Sequence, residues 1–164
     1  MSVSQQYSFF LSPCHDHFSL PVCLTTTTNF LPVCLTDYLS WNVRDDTGVS
    51  FISNDLLYVN GTITIPTNGR YHVYTHLTFD TNTNRLPGQQ LVVDHSVTRI
   101  SRGTPVNLLL DRVNLYQREV KSSDLEGTFE LQKGDRVKVI VSYPTYLYNL
   151  SETNVFGLFK LMSG

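Results

Sequence analysis

The sequence predicts an all-β fold of the sandwich or barrel kind, and three observations predict it. Short runs alternate apolar and polar residues, turns rich in Gly, Pro and Asn punctuate them, and no window carries the 3.6-residue apolar period of a helix. Many short strands without helices bury their apolar faces by packing sheet on sheet or by closing one sheet on itself. The 164 residues suit one domain with a sizeable core.

Taken in order, the alternation predicts strands over 31–35, 39–43 and 49–52, the second carrying the only tryptophan, Trp41. Asn60-Gly61 is a turn signal between strands over 56–59 and 62–65. Pro66 to Gly69 precede a strand over 71–79, Pro87-Gly88 one over 91–100, and Gly103 to Pro105 one over 106–116. Gly134-Asp135 separates strands over 128–131 and 137–142, and a connection containing Pro144 leads to the last strand, 155–161.

The strand in GRYHVYTHLTF, residues 69–79, has two unlike faces. Tyr71, Val73, Thr75, Leu77 and Phe79 make a good sandwich wall. Arg70, His72, Tyr74, His76 and Thr78 on the other face are too aromatic for bare solvent and too polar for a core.

Composition narrows the function classes. A formal charge of −2 favours neither nucleic acid nor an anionic membrane as partner. Charged residues make up only 16% of the chain, against an average near 25%, which hints that part of the outside is covered by another subunit. No run of about 18 apolar residues spans a bilayer. The first 24 residues make a poor signal peptide, with no basic start and an apolar part broken by Cys14-His15-Asp16-His17. Cys14, Cys23 and Cys34 are an odd number and all lie early, so they form no disulfide framework. LPVCLT occurs at 20–25 and again at 31–36, which reads as a local duplication, a strand with two registers or a Cys23–Cys34 bridge. Asn60 and Asn149 head glycosylation sequons.

Three blocks then carry a family resemblance. Residues 39–79, LSWNVRDDTGVSFISNDLLYVNGTITIPTNGRYHVYTHLTF, resemble the first half of a tumour necrosis factor homology domain, with its Trp and its I-P-x-x-G-x-Y-x-V-Y-x-x-L-x-F run. LEGTFEL followed by KGDRV, at 125–131 and 133–137, resembles the family's G-G-x-F-x-L-x-x-G-D-x-L hairpin. VFGLFKL at 155–161 resembles its closing F-F-G-x-F-K-L strand. The blocks occur in family order across about 31–161, leaving 1–30 as an N-terminal extension and 31–164 as the domain.

The resemblance implies a jelly-roll sandwich of about ten antiparallel strands, a homotrimer, and binding to cell-surface receptors. It also implies that the second face of the 71–79 strand lines the trimer axis. His72, Tyr74, His76, Val155, Phe159 and Leu161 are then interface residues, with Asp124 and Glu126 close by. Identical side chains meet at a cyclic axis, where rigid aromatics make large contacts. Asp124 and Glu126 depart from the family, which has an aromatic residue and a glycine there. Three copies of either acid would repel unless the loop moves outward or a basic group or metal neutralises them. The family's disulfide at the receptor end has no counterpart after Cys34, and the loop 101–105 lacks a hydrophobic tip. Receptor contact by family pattern falls to Arg44, Asp45, Asp46, Arg85, Arg99, Arg102, Tyr146 and Tyr148.

Other constellations point elsewhere more weakly. His72 and His76 share a face and are common ligand types, but read best as packed interface histidines. Acid that charged six such imidazoles around one axis would weaken a trimer. Cys14-His15-Asp16-His17 crowds ligand types into four positions of the extension, and reads as a terminus rather than a site. Asp94-His95-Ser96 cannot form a relay, because neighbours on a strand point to opposite faces. With no phosphate-cradling loop and no metal-protease motif, the reading expects no enzyme activity, no cofactor and no metal. The expected function is that of a trimeric cytokine-like ligand that clusters receptors of the tumour necrosis factor receptor family. It would be extracellular, the secreted or shed ectodomain of a membrane protein whose N-terminal anchor is missing from these residues. The alternatives are a recognition module like the globular heads of complement proteins, which usually follow a Gly-X-Y stalk absent here, and a lectin or viral jelly roll.

Overall fold

A computed structural model of the chain describes residues 7–10, 37–39, 41, 56–148 and 153–161. The expected strands over 31–35 and 49–52, the three cysteines, the repeat, Arg44, Asp45, Asp46 and Asn149 lie outside the described residues.

Ten strands run in chain order: β1 (Tyr7–Phe10), β2 (Asp37–Tyr38), β3 (Leu57–Val59), β4 (Thr62–Thr64), β5 (Gly69–Asp80), β6 (Gln90–Ser101), β7 (Thr104–Tyr116), β8 (Val120–Leu131), β9 (Arg136–Val141) and β10 (Val155–Lys160). A 3₁₀ turn, Pro144–Tyr146, lies in the connection between β9 and β10. One sheet has the order β1-β10-β5-β8 and the other β3-β4-β9-β6-β7, with β2 paired to β9. Every pairing within the two sheets is antiparallel. The fold is the all-β jelly-roll sandwich that the sequence predicts. β1 falls inside residues 1–30, and Phe9 pairs with Phe156 and Phe10 with Val155 of the closing strand.

The core forms where the inward residues of the two sheets meet. Val73, Leu77, Phe79, Phe156 and Leu158 from the first sheet meet Ile63, Val93, Val97, Leu115, Val137 and Val139 from the second, all fully buried. Tyr71 is buried with them and donates its hydroxyl to the Thr67 carbonyl at 2.8 Å. Trp41 lies against Phe156 with ring centroids 5.5 Å apart, so the tryptophan closes the core beside the last strand.

Two turns fix hairpin registers. Val59 pairs with Thr62 and Ser101 with Thr104, which leaves two-residue loops, Asn60-Gly61 and Arg102-Gly103. All four have positive φ: 48°, 75°, 50° and 85° in that order. Positive φ at both central positions is the type I′ requirement, matched to strand twist.

β8 is much longer than the expected 128–131. It pairs with β5 over twelve residues, from Gly69↔Leu131 to Asp80↔Val120. The segment after 120 is therefore a paired strand rather than a loop. This places Asp124 and Glu126 on the sheet beside β5.

Candidate functional site

The outward face of the first sheet is where the strand registers gather the residues of interest. Val155, His76 and Asp124 form one cross-strand row, Gly157, Tyr74 and Glu126 the next, and Phe159, His72 and Thr128 the third. His72, Tyr74, His76, Val155 and Phe159 are each half-buried within the single chain, while Tyr71, Val73, Thr75 and Leu77 between them are buried. The His72 ring lies 5.1 Å from that of Phe159 and stacks on Tyr74 at 6.2 Å. Leu161 follows β10, half-buried, with its N–H donating to the Arg70 carbonyl at 2.8 Å. The sheet thus brings all eight sequence-predicted interface residues to one face or its margin.

Both acidic departures acquire histidine neighbours. His76 Nδ1 lies 2.5 Å from Asp124 Oδ1, and His72 Nε2 lies 3.7 Å from Glu126 Oε2. At the ends of the same ladder Arg70 meets Glu130 at 3.5 Å and Thr78 meets Ser122 at 3.3 Å. Of the three escapes from acid repulsion, β8 rules out a loop moved outward, because Asp124 sits in strand register with His76.

Thr78 closes one end of this face. Its N–H donates to Asn154 Oδ1 at 2.9 Å and its hydroxyl to the Thr153 carbonyl at 3.1 Å. Asn154, 1% exposed, also donates through Nδ2 to the Tyr148 carbonyl at 2.9 Å. A buried amide that bridges β5 to the connection before β10 has no local signal in the sequence.

The expected receptor residues divide between the two ends of the sandwich. Arg85 is exposed in the segment between β5 and β6, near the end of β5. Tyr146 belongs to the core cluster and directs its hydroxyl to the Arg85 carbonyl at 3.4 Å, so its ring supports that segment from beneath. Tyr148 is half-buried and its N–H donates to the Thr78 carbonyl at 2.8 Å. Arg102 is exposed at the opposite end, on the tight β6–β7 turn, and Arg99 is half-buried with its Nε enclosed and unpartnered. β6 runs from one group to the other, roughly 35 Å at 3.3 Å per residue. Asn60 is exposed at the β3–β4 turn.

A buried polar chain was not legible in the sequence. His95, fully buried on the inward face of β6, lies with Nδ1 2.8 Å from Ser123 Oγ on β8. Ser123 donates its hydroxyl proton to Asp111 Oδ2 on β7 at 2.6 Å. The serine has no second proton, so Nδ1 of His95 must be the donor to it, and Nε2 is left as a bare acceptor. That atom is buried without a partner. Burial lowers the His95 pKa from 6.5 to about 4, although Asp111 and Asp124 pull it upward. The serine gives its proton to the aspartate, not to the imidazole, and is itself 2% exposed. That order makes a structural tie between the sheets rather than a nucleophile with its base.

With this geometry in hand, comparison with known proteins decides the family. The family model described as the TNF (Tumour Necrosis Factor) family matches residues 39–161, most of the chain. The chain belongs to the tumour necrosis factor family. It is similar to the tumor necrosis factor of Notamacropus eugenii, 31% identical over 108 residues, which are 58% of this chain and 46% of that relative. It is also similar to tumor necrosis factor ligand superfamily member 15 of Mus musculus, 28% identical over 137 residues, 75% of this chain and 54% of the relative. The tumor necrosis factor of Delphinapterus leucas is 28% identical over 125 residues, 68% of this chain and 53% of the relative. The chain thus spans about half the length of the curated relatives it matches. Among the described residues, no helix is long and apolar enough to cross a membrane.

The glycine pair of the tumour necrosis factor pattern is half kept here for a packing reason. A Cβ on Gly127 would come within 2.7 Å of the Phe129 ring and 3.3 Å of Leu109 Cδ2, so a side chain at this inward position would have to displace that ring. Glu126 points to the other face, where there is room for it beside His72.

Proposed function

We propose that the chain is a trimeric extracellular cytokine ligand that binds and clusters cell-surface receptors of the tumour necrosis factor receptor family. The observation that carries this reading is the outward face of β5, β8 and β10. It sets half-buried His72, Tyr74, His76, Val155 and Phe159 side by side in a chain with few charges. Such a face suits a second and third copy of itself, since a threefold axis brings like rows together and stacked aromatics bury large rigid surfaces. Asp124 and Glu126 lie at the margin of that interface, each beside a histidine.

Receptors dock in the grooves between protomers, touching Arg85 and Tyr148 toward one end and Arg102 with Arg99 toward the other. Arg44, Asp45 and Asp46 belong to the same contact. The mechanism is geometric: three equivalent grooves gather up to three receptors, and linked binding raises effective affinity without new contacts. No bond is made or broken. Secretion or shedding from a membrane-anchored precursor supplies the ectodomain, with glycans at Asn60 and Asn149.

Capture of the purified protein on cysteine-rich receptor ectodomains from the same organism tests the reading. Binding of at least one ectodomain that weakens on Arg102→Ala or Tyr148→Ala is the expected result. A trimer that retains none of them would overturn receptor clustering.

A further inference from the structure

We propose that the end of the sandwich carrying the β6–β7 turn binds a sulfated polysaccharide of the glycosaminoglycan class, through Arg102, Lys133, Arg136 and Lys160. The patch belongs to each copy of the chain and does not need the trimer. The choice of an extracellular polyanion rests on the reading proposed above.

Charge is unevenly placed along the strands. The formal charge of the whole chain is −2. Yet among the described residues this end exposes five cations, Arg70, Arg102, Lys133, Arg136 and Lys160, against one exposed carboxylate, Glu130. Glu130 is taken up by Arg70, at 3.5 Å. Asp135 lies at the same end but is buried, and its Oδ2 accepts the Gln132 N–H at 3.0 Å. Among the described residues, none of the other four cations pairs with an acid. The exposed Arg112, farther along β7, does find one, Asp94 at 3.3 Å.

Turns tied to one another set the four in a strip. Gly134 N–H donates to the Ile65 carbonyl at 2.9 Å, Ile65 N–H to the Asp135 carbonyl at 2.8 Å, and Lys133 N–H to Asn68 Oδ1 at 2.7 Å. On one side of that junction Lys160 crosses over Gly69 and donates to Thr67 Oγ1 at 3.0 Å. On the other side Arg136 is in register with Ile100, two residues before Arg102, which puts Arg136 and Arg102 roughly 8 Å apart. The strip thus runs Lys160, Lys133, Arg136, Arg102 across the ends of both sheets.

Separated cations on rigid turns suit a linear polymer with charge along its whole length, whose counterions are released on binding. The arginine fork matches phosphate oxygens, and sulfate offers the same tetrahedral geometry. Nucleic acid fits less well, because bases need rings to stack on. Among the described residues the exposed aromatic is Tyr116, at the far end of β7. Anionic lipids give the cytoplasmic leaflet its charge and not the outer one. A threefold assembly sets three such strips at one end of the axis, so that one polymer chain touches more than one of them.

The test runs the purified full-length chain on immobilised heparin and on a plain sulfonate resin, from about 0.15 M salt upward at neutral pH. Heparin should hold the chain and release it at higher salt than the sulfonate resin does. Lys133→Gln combined with Arg136→Gln changes two exposed residues outside the proposed receptor contacts. The pair should lower the eluting salt and reduce the slope of log affinity against log salt by about one for each cation removed. Arg112→Gln should leave both readings unchanged. Passage of the wild type through heparin at the starting salt, equal elution from the two resins, or no effect of the double change overturns the inference. Stronger capture by phosphatidylserine vesicles than by heparin also overturns it, and makes the patch a membrane contact. A wild type that holds heparin yet captures no receptor ectodomain supports the patch while overturning the receptor reading.

Discussion

His95 gives the most quantitative prediction, because it is a base buried in its neutral form. Its pKa falls from 6.5 to about 4, chiefly through burial. Between those values the unfolded chain binds a proton that the folded chain refuses. The contribution of neutral His95 is therefore complete above pH 6.5 and is lost as pH drops, with the loss levelling off below about 4. Each unit of pKa difference is worth about 1.4 kcal/mol, so the loss reaches about 3 kcal/mol at the acid limit and about 2 kcal/mol at pH 5. Against a typical stability of about 5–15 kcal/mol that is a large share. Urea unfolding at fixed protein concentration, from pH 7.5 to 4.5, measures it in the wild type and in His95→Asn. The asparagine keeps a donor for Ser123 but does not titrate. Its stability at pH 7.5 should be lower, and its decline toward pH 5 shallower than the wild type by about 2 kcal/mol. Groups common to both proteins cancel in that comparison. Parallel pH curves would refute the buried-base argument.

Three further outcomes follow from single contacts. Gly127→Ala should destabilise by about 1–3 kcal/mol, because the new methyl displaces the Phe129 ring; an unchanged thermal midpoint contradicts this. Asn154→Ala leaves the Thr78 N–H without its side-chain acceptor and should cost about 1–3 kcal/mol in chemical denaturation, with no loss counting against the bridge. Arg102→Gly should relieve left-handed backbone and raise stability by about 1 kcal/mol while reducing receptor binding, so that stability and affinity move in opposite directions. Surface plasmon resonance beside a thermal melt would show the split, and parallel changes would argue against it.

Strands with one apolar face were readable directly, and β5 is the clearest instance. Its inward residues are large and its outward ones polar or aromatic, so alternation alone located both faces. The part of β8 before residue 128 hid because its inward positions are Lys121, Ser123, Leu125 and Gly127, only one of them large and apolar. Pairing with β5 over its whole length makes that segment a strand, and such pairing is invisible to a local pattern. The same cause concealed the partners of the interface acids. Asp124 was legible as a problem, but its neighbour His76 lies 48 residues earlier and becomes adjacent only through the register. Likewise Asp94-His95-Ser96 displayed three suggestive residue types in a row, whereas His95 actually meets Ser123 and Asp111 from two other strands. The family blocks succeeded where periodicity failed because they encode packing constraints, as at Gly127, rather than local preference.

The central claim is that this chain closes into a threefold particle about the outward face of β5, β8 and β10. Light scattering of the purified chain at micromolar concentration and neutral pH tests it most directly. The account predicts a mass three times the 18.7 kDa of one chain, reduced when Tyr74→Asp places a charge in the middle row. A folded protein that scatters at 18.7 kDa would contradict it.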